Sequence, residues 1–198
     1  MFTRLAVDEI APTYLVVARL FLASILLGPI FIRKKDLVLM SKEIPSILIL
    51  GIINAALPFF LFAYAAQDLS AGMLSILNGT SPLFALIIAI TWFRQNTTLM
   101  QIFGLGLGFI GLLVFIGIDQ LTFIFYPVLL CLIGAFCYAY SNNILFKLNH
   151  IKSAALASVT MISGFFFSLP LIFLEPTNFS LDLSLKIIFA IFFLGLVS

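Results

Sequence analysis

Long apolar stretches of about 20 residues each divide this sequence, and short polar segments separate them. The stretches lie at 12–32, 44–65, 71–93, 99–118, 123–146 and 153–174, and a seventh begins near 183. A helix needs about 20 mostly apolar residues to cross a bilayer, whereas a barrel strand needs about half as many and alternates apolar with polar residues. The pattern therefore predicts an all-α integral membrane protein, a polytopic helix bundle with about seven spans in the lipid bilayer.

The composition excludes the other fold classes. Hydrophobic residues make up 63% of the 198 residues and charged residues 9%, against about 45–50% and about 25% in ordinary globular domains. A soluble domain would expose much of this apolar surface and aggregate, and disordered chains are rich in charge. The net charge of +2 also argues against nucleic acid as a partner, because nucleic-acid binding needs a clustered basic surface.

The sequence offers no candidate metal site. His150 is the only histidine, and it falls between two predicted spans. Cys131 and Cys137 lie inside one apolar stretch and are expected to be free thiols that pack like small hydrophobes. No ATP-binding motif is present, because the glycine run that begins at Gly104 has no following lysine. We therefore expect no cofactor, no metal and no catalytic residues, so the protein is not expected to be an enzyme.

Positive charge is distributed unevenly between the two sets of loops that alternate along the chain. The first set comprises 33–43, 94–98 and 147–152, and the second comprises 1–11, 66–70, 119–122 and 175–182. Seven of the ten cations lie in the first set and only Arg4 lies in the second. Because cytoplasmic loops are rich in Lys and Arg, we expect a multi-pass cell-membrane protein with its N-terminus outside and its basic loops in the cytoplasm. The run from Arg33 to Asp36 is predicted to be an exposed loop because it is too charged to bury.

Two segments of the sequence align with each other. Residues 10–32 match residues 151–173 without gaps, so that Pro29 falls on Pro170 at an offset of 141. The second copy starts five spans later, and an odd number of crossings reverses its orientation. An inverted repeat of this kind is typical of secondary transporters, which bind substrate near the membrane midplane between the two halves.

Three stretches of the chain resemble a known family: APTYLVVARLFLASILLGPI, PFFLFAYAAQDLSAGMLSILNGTSPLFALIIAITWF and QIFGLGLGFIGLLVFIG. Their sequence is similar to the EamA-type branch of the drug/metabolite transporter superfamily. The resemblance implies ten helices in two inverted five-helix repeats (5+5). It also implies that residues 1–118 are the remainder of the first repeat without its first helix, and that 119–198 begin the second repeat without its last helices. We therefore expect a fragment that is truncated at both ends.

The resemblance implies a function in transmembrane transport. A secondary transporter would move a small metabolite or drug-like solute across the plasma membrane by alternating access, without an ATP site. One alternative is a truncated transporter remnant that inserts but transports nothing, and another is a seven-helix receptor, which the span count and the outward N-terminus suggest. An incomplete bundle is expected to be completed by a second copy, as a homodimer, or by a partner that supplies the missing helices.

Polar residues and prolines inside the spans are the candidates for solute binding. The polar candidates are Asn54, Tyr64, Ser75, Asn78, Ser81, Tyr138, Ser141 and Asn142, and the predicted helix kinks are at Pro58 and Pro82. Ser75, Asn78 and Pro82 share one helix face, because residues three and four apart are neighbours on a helix surface. Each candidate also has a structural interpretation: Asn54 as a link between helices, Tyr64 as an interfacial anchor, and the serines as partners of the kinked backbone.

The remaining candidates inside the spans are one arginine and three glycines. Arg19 lies seven residues into the first predicted span, where a charge is costly unless it is functional or paired. We expect a gating or structural role in contact with carbonyl groups, with snorkelling toward the headgroups as the alternative. Gly104, Gly108 and Gly111 are four and three residues apart, a spacing that predicts close helix packing.

Overall fold

A computed structural model describes residues 11–31, 34–92, 94, 96–116 and 124–174 of the chain. The predicted seventh span, near 183, lies outside these residues. All regular structure within them is helical. The elements are α1 (Pro12–Phe31), α2 (Lys34–Ser41), α3 (Ile44–Leu50), a π-helix (Gly51–Ala56), α4 (Leu57–Ala65), α5 (Ala71–Asn78), α6 (Ser81–Thr91), α7 (Leu99–Ile116), α8 (Phe125–Lys147), α9 (Ser153–Ser168) and a 3₁₀ helix (Leu169–Leu174).

Several of these helices have the length and hydropathy of membrane spans. Within the described residues, four continuous helical runs qualify: Ile44–Ala65, Ala71–Thr91, Phe125–Lys147 and Ser153–Phe173. Shorter apolar runs lie in α1 and α7. Large apolar side chains such as Phe103 and Phe146 are exposed on the outside of the bundle, where a soluble protein would place polar ones. The fold is therefore that of an all-helical, multi-pass membrane protein.

The polar separators act as helix starts. At the start of α5, the Ser70 hydroxyl accepts a hydrogen bond from the Met73 backbone N–H at 3.2 Å. At the start of α7, Thr98 Oγ1 accepts from the Gln101 backbone N–H at 3.3 Å, and Gln101 Oε1 accepts from the Thr98 backbone N–H at 2.9 Å. This reciprocal pair is a capping box, which satisfies two N–H groups that a helix terminus would otherwise leave without partners.

The segment 33–43, which the sequence predicted to be an exposed loop, is mostly helical. Asp36 lies in the first turn of α2, and only 2% of its surface is exposed. The expectation that this run was too charged to bury was wrong for Asp36. A carboxylate in the first turn is favoured by the helix dipole, and Asp36 also takes part in a polar or electrostatic interaction. At the other end of α2, Met40 packs into an apolar cluster with Leu50 and Leu148.

Helix α9 runs antiparallel to α1 along its length. Phe21 contacts Phe165, with the ring centroids 5.4 Å apart. Six residues further along α1, the Leu27 carbonyl accepts a hydrogen bond from Ser158 Oγ at 3.3 Å, so residue numbers rise on one helix as they fall on the other. Leu15, Leu20 and neighbouring residues form the buried core of this side. On the other side, α8 packs against α4 and α6, and α7 lies against α5 and α6.

The glycines of the chain differ in how close the neighbouring atoms lie to them. A Cβ atom built at Gly51 would overlap the Ser163 side chain and come within 2.8 Å of the Gly164 backbone nitrogen, so the π-helix and α9 are in backbone contact there. At Gly104, Gly108 and Gly111 a built Cβ meets no described atom within 4 Å. The close packing predicted for these three glycines is therefore not found in the part of the chain that the structure describes. Gly104 and Gly108 line a cavity of about 300 Å³ between α7 and the break between α5 and α6, and Gly111 is exposed.

Candidate solute-binding cavity

A cavity of about 250 Å³ lies between four helices of the bundle. Its walls come from α1, α4, α5 and α8, and they combine aromatic, aliphatic and polar side chains. The lining residues are Arg19, Phe59, Phe62, Ala71, Leu74, Ser75, Asn78 and Tyr138. Each of the four helices is apolar over most of its length, so the polar members of this set lie inside the apolar zone of the protein.

Arg19 is held in the cavity wall by an aromatic ring. Its guanidinium carbon lies 3.8 Å from the centroid of the Phe59 ring, well within the range of a cation–π interaction. The sequence predicted contact with carbonyl groups and a gating or structural role for this residue. The structure shows the guanidinium over the Phe59 ring beside a cavity, a contact that spacing within α1 alone does not reveal because its partner is 40 residues away in the chain.

Three aromatic rings form one wall of the cavity. The Tyr138 ring lies 6.2 Å from Phe62 in a stacked arrangement and 6.5 Å from Phe59 in an edge arrangement, measured between centroids. Tyr138 was a candidate from the sequence, whereas Phe59 and Phe62 were not. Their spacing of three residues on one face of α4 was the available signal, but it is obscured in a chain with 23 phenylalanines.

The helix that runs from α5 to α6 is broken just before Pro82. α5 ends at Asn78 and α6 begins at Ser81. The Ser81 hydroxyl donates to the Asn78 carbonyl at 2.7 Å, in place of the N–H that proline lacks. The Ser75 hydroxyl donates to the Ala71 carbonyl at 2.9 Å. Both serines thus bond to backbone carbonyls close in sequence, Ser75 within α5 and Ser81 across the break, as the structural interpretation proposed, while Asn78 is exposed.

A second cavity, of about 530 Å³, continues the first along this break. It is lined by Asn78, Gly79, Ser81, Pro82, Tyr138 and Asn142. Asn78 and Tyr138 line both cavities and so mark where the two meet. The structure therefore brings five of the eight predicted polar candidates to one polar groove: Ser75, Asn78, Ser81, Tyr138 and Asn142.

The other three polar candidates lie outside both cavities. Ser141 is buried, and its hydroxyl donates to Asn54 Oδ1 at 2.7 Å, which links α8 to the π-helix. Asn54 precedes the buried Pro58 by four residues, so the Asn54 carbonyl lacks the N–H donor that a residue other than proline would supply there. The Tyr64 ring contacts Phe60, with the centroids 4.5 Å apart.

The described residues give little basis for metal or thiol chemistry. No group of three or more His, Cys, Asp or Glu side chains among them is arranged to hold a metal ion. Cys131 and Cys137 are both free, the first buried and the second partly so. The lining of the first cavity offers one cation, one amide, hydroxyl groups and aromatic faces for non-covalent recognition of a solute.

Comparison with known proteins agrees with this combination of an all-helical membrane fold and an internal polar cavity. The model of the EamA-like transporter family matches residues 1–117. An uncharacterized transporter from Archaeoglobus fulgidus is 27% identical over 163 residues, which cover 79% of this chain and 56% of that protein. One crystal structure of a protein matches 98% of this chain and 70% of its own chain with a TM-score of 0.65 at 14% identity, a likeness that shows the fold alone.

These matches identify the class of protein, which is a membrane transporter. The chain belongs to the EamA-like transporter family, because the family model covers more than half of its residues. The resemblance drawn from the three sequence stretches is confirmed. Membership of a transporter family points away from enzymatic activity. The chain spans about 56% of the length of the curated relative that it matches.

Proposed function

We propose that this protein is a secondary transporter that moves a small metabolite or drug-like solute across the cell membrane by alternating access, with the Arg19 cavity as its solute site. The observation that supports this best is the cavity itself, whose lining places Arg19, Ser75, Asn78 and Tyr138 inside apolar helices. Polar and charged side chains in that environment are costly and usually mark a solute or ion pathway.

The dimensions of the site suit a small solute. Small-molecule sites are typically about 300–1,000 Å³, mostly apolar, with a few placed polar groups. The first cavity is about 250 Å³ and the adjoining one about 530 Å³, so the joined groove falls within this range. Because none of the residues that line either cavity is Asp or Glu, the lining favours facilitated exchange over coupling to protons.

The packing of α1 against α9 supports an inverted repeat, which we propose as the architecture of the whole protein. The two helices belong to the segments that align at an offset of 141, and they pack antiparallel, as an offset of five spans, an odd number, requires. We propose a ten-helix bundle of two five-helix repeats, with residues 1–118 in the first and 119–198 in the second. Substrate sites of such transporters lie at the interface between repeats, and the Arg19 cavity combines α1, α4 and α5 with α8.

The cavity lies toward one end of the bundle. Arg19 is seven residues from the start of α1, Phe62 is three residues from the end of α4, and Asn78 is seven residues from the start of α5. The loop at 66–70 joins the ends of α4 and α5. With the N-terminus outside, as the positive-inside rule favours, the solute site lies in the outer half of the membrane.

Uptake into proteoliposomes tests the proposed function. The full chain is reconstituted, the vesicles are loaded with each of a panel of unlabelled metabolites, and counterflow of the labelled solute is measured. We expect at least one solute to exchange, and we expect Asn78→Leu to reduce its uptake at least about tenfold by removing a polar contact in the site. Asn149→Leu is the matched control, because Asn149 is exposed in the turn after α8. Uptake no greater than in protein-free vesicles for every solute would contradict the proposal.

A further inference from the structure

Four asparagines lie inside the helices that the structure describes, and they differ in whether their carboxamides are bonded to protein. Asn54 accepts a hydrogen bond from a serine of α8, and Asn143 donates to a backbone carbonyl of its own helix at 3.1 Å. Asn78 and Asn142 are exposed, and neither of their carboxamides has a hydrogen-bond partner among the described residues. The donors and acceptors of these two side chains are therefore available to water or to a solute.

The two unbonded carboxamides line the same space. Both belong to the second cavity, of about 530 Å³, at the break between α5 and α6. Asn78 lies within the apolar run Ala71–Thr91 and Asn142 within Phe125–Lys147, and both runs have the length and hydropathy of membrane spans. An amide that faced lipid would lose its hydrogen bonds to water without replacement, which is costly. The placement of both carboxamides on one cavity therefore indicates that this cavity holds water or solute rather than lipid.

The lining of the second cavity carries no formal charge. It consists of Asn78, Gly79, Ser81, Pro82, Tyr138 and Asn142. Arg19 lines the adjoining cavity and not this one. An ionised group that entered the second cavity would give up water without meeting a counter-charge in the lining, whereas a neutral polar group loses less on leaving water. The part of a solute that enters this cavity is therefore expected to be neutral.

The chemistry of a carboxamide favours one kind of neutral group. Its carbonyl acceptor and its NH₂ donor lie side by side in one plane, so it pairs through two hydrogen bonds with any group that has the same arrangement, as asparagine does with the edge of adenine. Another amide has this arrangement, whereas a ketone or an ester has no donor. Tyr138 lies four residues before Asn142 on the same face of α8 and lines the same cavity, so its ring offers a flat surface beside the amide.

From these observations we infer that the second cavity selects neutral solutes that carry a planar amide group, primary carboxamides and lactams, over solutes of the same shape that lack the N–H donor. The inference rests on the proposed transport function and names a substrate class for the part of the groove at the helix break. Asn78 and Asn142 are then the residues that recognise the amide, because a primary amide has enough donors and acceptors to pair with both.

The test uses three probes that share one ring: nicotinamide, the methyl ketone that has CH₃ in place of its NH₂, and nicotinate. Equilibrium binding is measured with the full chain in lipid nanodiscs, and binding to empty nanodiscs is subtracted. We expect nicotinamide to bind at least about tenfold more tightly than the methyl ketone, because the ketone leaves the asparagine carbonyl oxygen without a donor. We expect nicotinate to bind more weakly than nicotinamide, because the lining offers no counter-charge.

Variants at Asn142 test whether the carboxamide itself is recognised. Asn142→Leu keeps a similar volume and removes both hydrogen-bonding groups, so it is expected to lower nicotinamide affinity at least about tenfold while methyl ketone affinity stays within about twofold. Asn142→Gln keeps the amide on a longer arm and is expected to retain part of the preference. Asn143→Leu is the matched control, because it removes the neighbouring carboxamide, which is bonded within α8 and lies outside the cavity.

The outcomes distinguish the inference from the proposed function. Equal affinity of the unmodified protein for nicotinamide and its methyl ketone, or tighter binding of nicotinate, overturns the amide selection and leaves the transporter proposal intact if the metabolite panel still exchanges. Equal loss of nicotinamide and the methyl ketone in Asn142→Leu also overturns the inference, because it shows a structural role for Asn142. No binding or exchange of any probe or metabolite by monodisperse, helical protein overturns both proposals.

Discussion

At Asn54 and Ser141 a polar pair is satisfied between two helices in an apolar environment. The Ser141 hydroxyl lies 2.7 Å from Asn54 Oδ1 and 2.8 Å from the Tyr138 carbonyl oxygen. A hydroxyl has one proton, so it can donate to only one of these acceptors at a time. The contact with Asn54 is the one that joins α8 to the π-helix, and it is therefore the one that affects packing between helices.

Loss of this contact is expected to destabilise the bundle modestly. Ser141→Ala removes the donor to Asn54, and interhelical hydrogen bonds in membrane proteins average about 0.6 kcal/mol and reach about 1.7 kcal/mol. The unfolding free energy in mixed micelles, measured for Ser141→Ala, Asn54→Ala and the double variant, gives the coupling energy. Ser75→Ala is the control, because its hydroxyl bonds within α5. Strictly additive effects of Ser141→Ala and Asn54→Ala would show that the two side chains do not interact.

Gly51 is required for a different reason, because its position leaves no room for a side chain. Gly51→Ala would place a methyl group against the Ser163 side chain and the Gly164 backbone. Overpacking of a tight contact typically costs about 1–3 kcal/mol, and we expect a loss of this size in the unfolding free energy. Gly108→Ala is the matched control, since a Cβ there meets no described atom within 4 Å. The same loss in both variants would mean that the contact between the π-helix and α9 is not what makes Gly51 necessary.

At the scale of whole elements, two prolines shape the chain in different ways. Pro58 lies just after the π-helix, which continues without interruption into α4. Pro82 follows a two-residue turn between α5 and α6, at which Thr80 Oγ1 donates to the Leu77 carbonyl at 2.6 Å and Ser81 Oγ donates to the Asn78 carbonyl. The difference follows from local sequence, because Gly79-Thr80-Ser81 offers two hydroxyl donors that replace backbone hydrogen bonds, whereas the residues before Pro58 are apolar except for Asn54.

Replacement of Pro82 is expected to rejoin α5 and α6. Pro82→Ala restores the N–H that can donate to the Asn78 carbonyl and removes the ring that blocks it. We expect a straighter helix, a smaller groove and at least about tenfold slower exchange if the groove binds solute. Distances between spin labels at the two ends of 71–91, together with counterflow, measure the two effects. Pro45→Ala is the control, since Pro45 is an exposed proline in the first turn of α3, where its missing N–H breaks no bond.

The positions of the long spans and the polar residues that line the cavity could be predicted from the sequence, but the apolar residues of its walls could not. Hydropathy marks a span because most of its residues are apolar, whether they face lipid or protein. For the same reason it cannot distinguish Phe59, which stacks on Arg19, from Phe103, which is exposed on the outside of α7. Asp36 was misjudged because its burial depends on the tertiary packing of α2, which the local charge density of the run does not show.

At the scale of the whole molecule, the side of the membrane that each loop faces determines whether the Arg19 cavity lies in the outer or the inner half of the membrane. The loops at 33–43, 94–98 and 147–152 hold seven of the ten cations, and cytoplasmic loops are the ones enriched in Lys and Arg. The other loop within the described residues, 66–70, adjoins the end of the bundle that holds Arg19 and Phe62. The proposed topology therefore places the solute site toward the outside.

Thiol labelling tests this topology. In a background where Cys131 and Cys137 are replaced by alanine, single cysteines are introduced by Gln67→Cys, Asn96→Cys and His150→Cys, at positions that are all exposed. We expect an impermeant maleimide to label the Gln67→Cys protein in intact spheroplasts. The other two proteins should react only after permeabilisation, because basic loops stay in the cytoplasm.

A membrane-permeant maleimide must label all three proteins, and the background without cysteine must stay unlabelled. The reverse pattern would place the 66–70 loop in the cytoplasm and the Arg19 cavity in the inner half of the membrane. It would contradict the topology while leaving the cavity intact, since the cavity depends on contacts inside the bundle. Agreement would mean that a solute from outside reaches Arg19 after passing about 10 Å of helix, the length of the seven residues that precede Arg19 in α1.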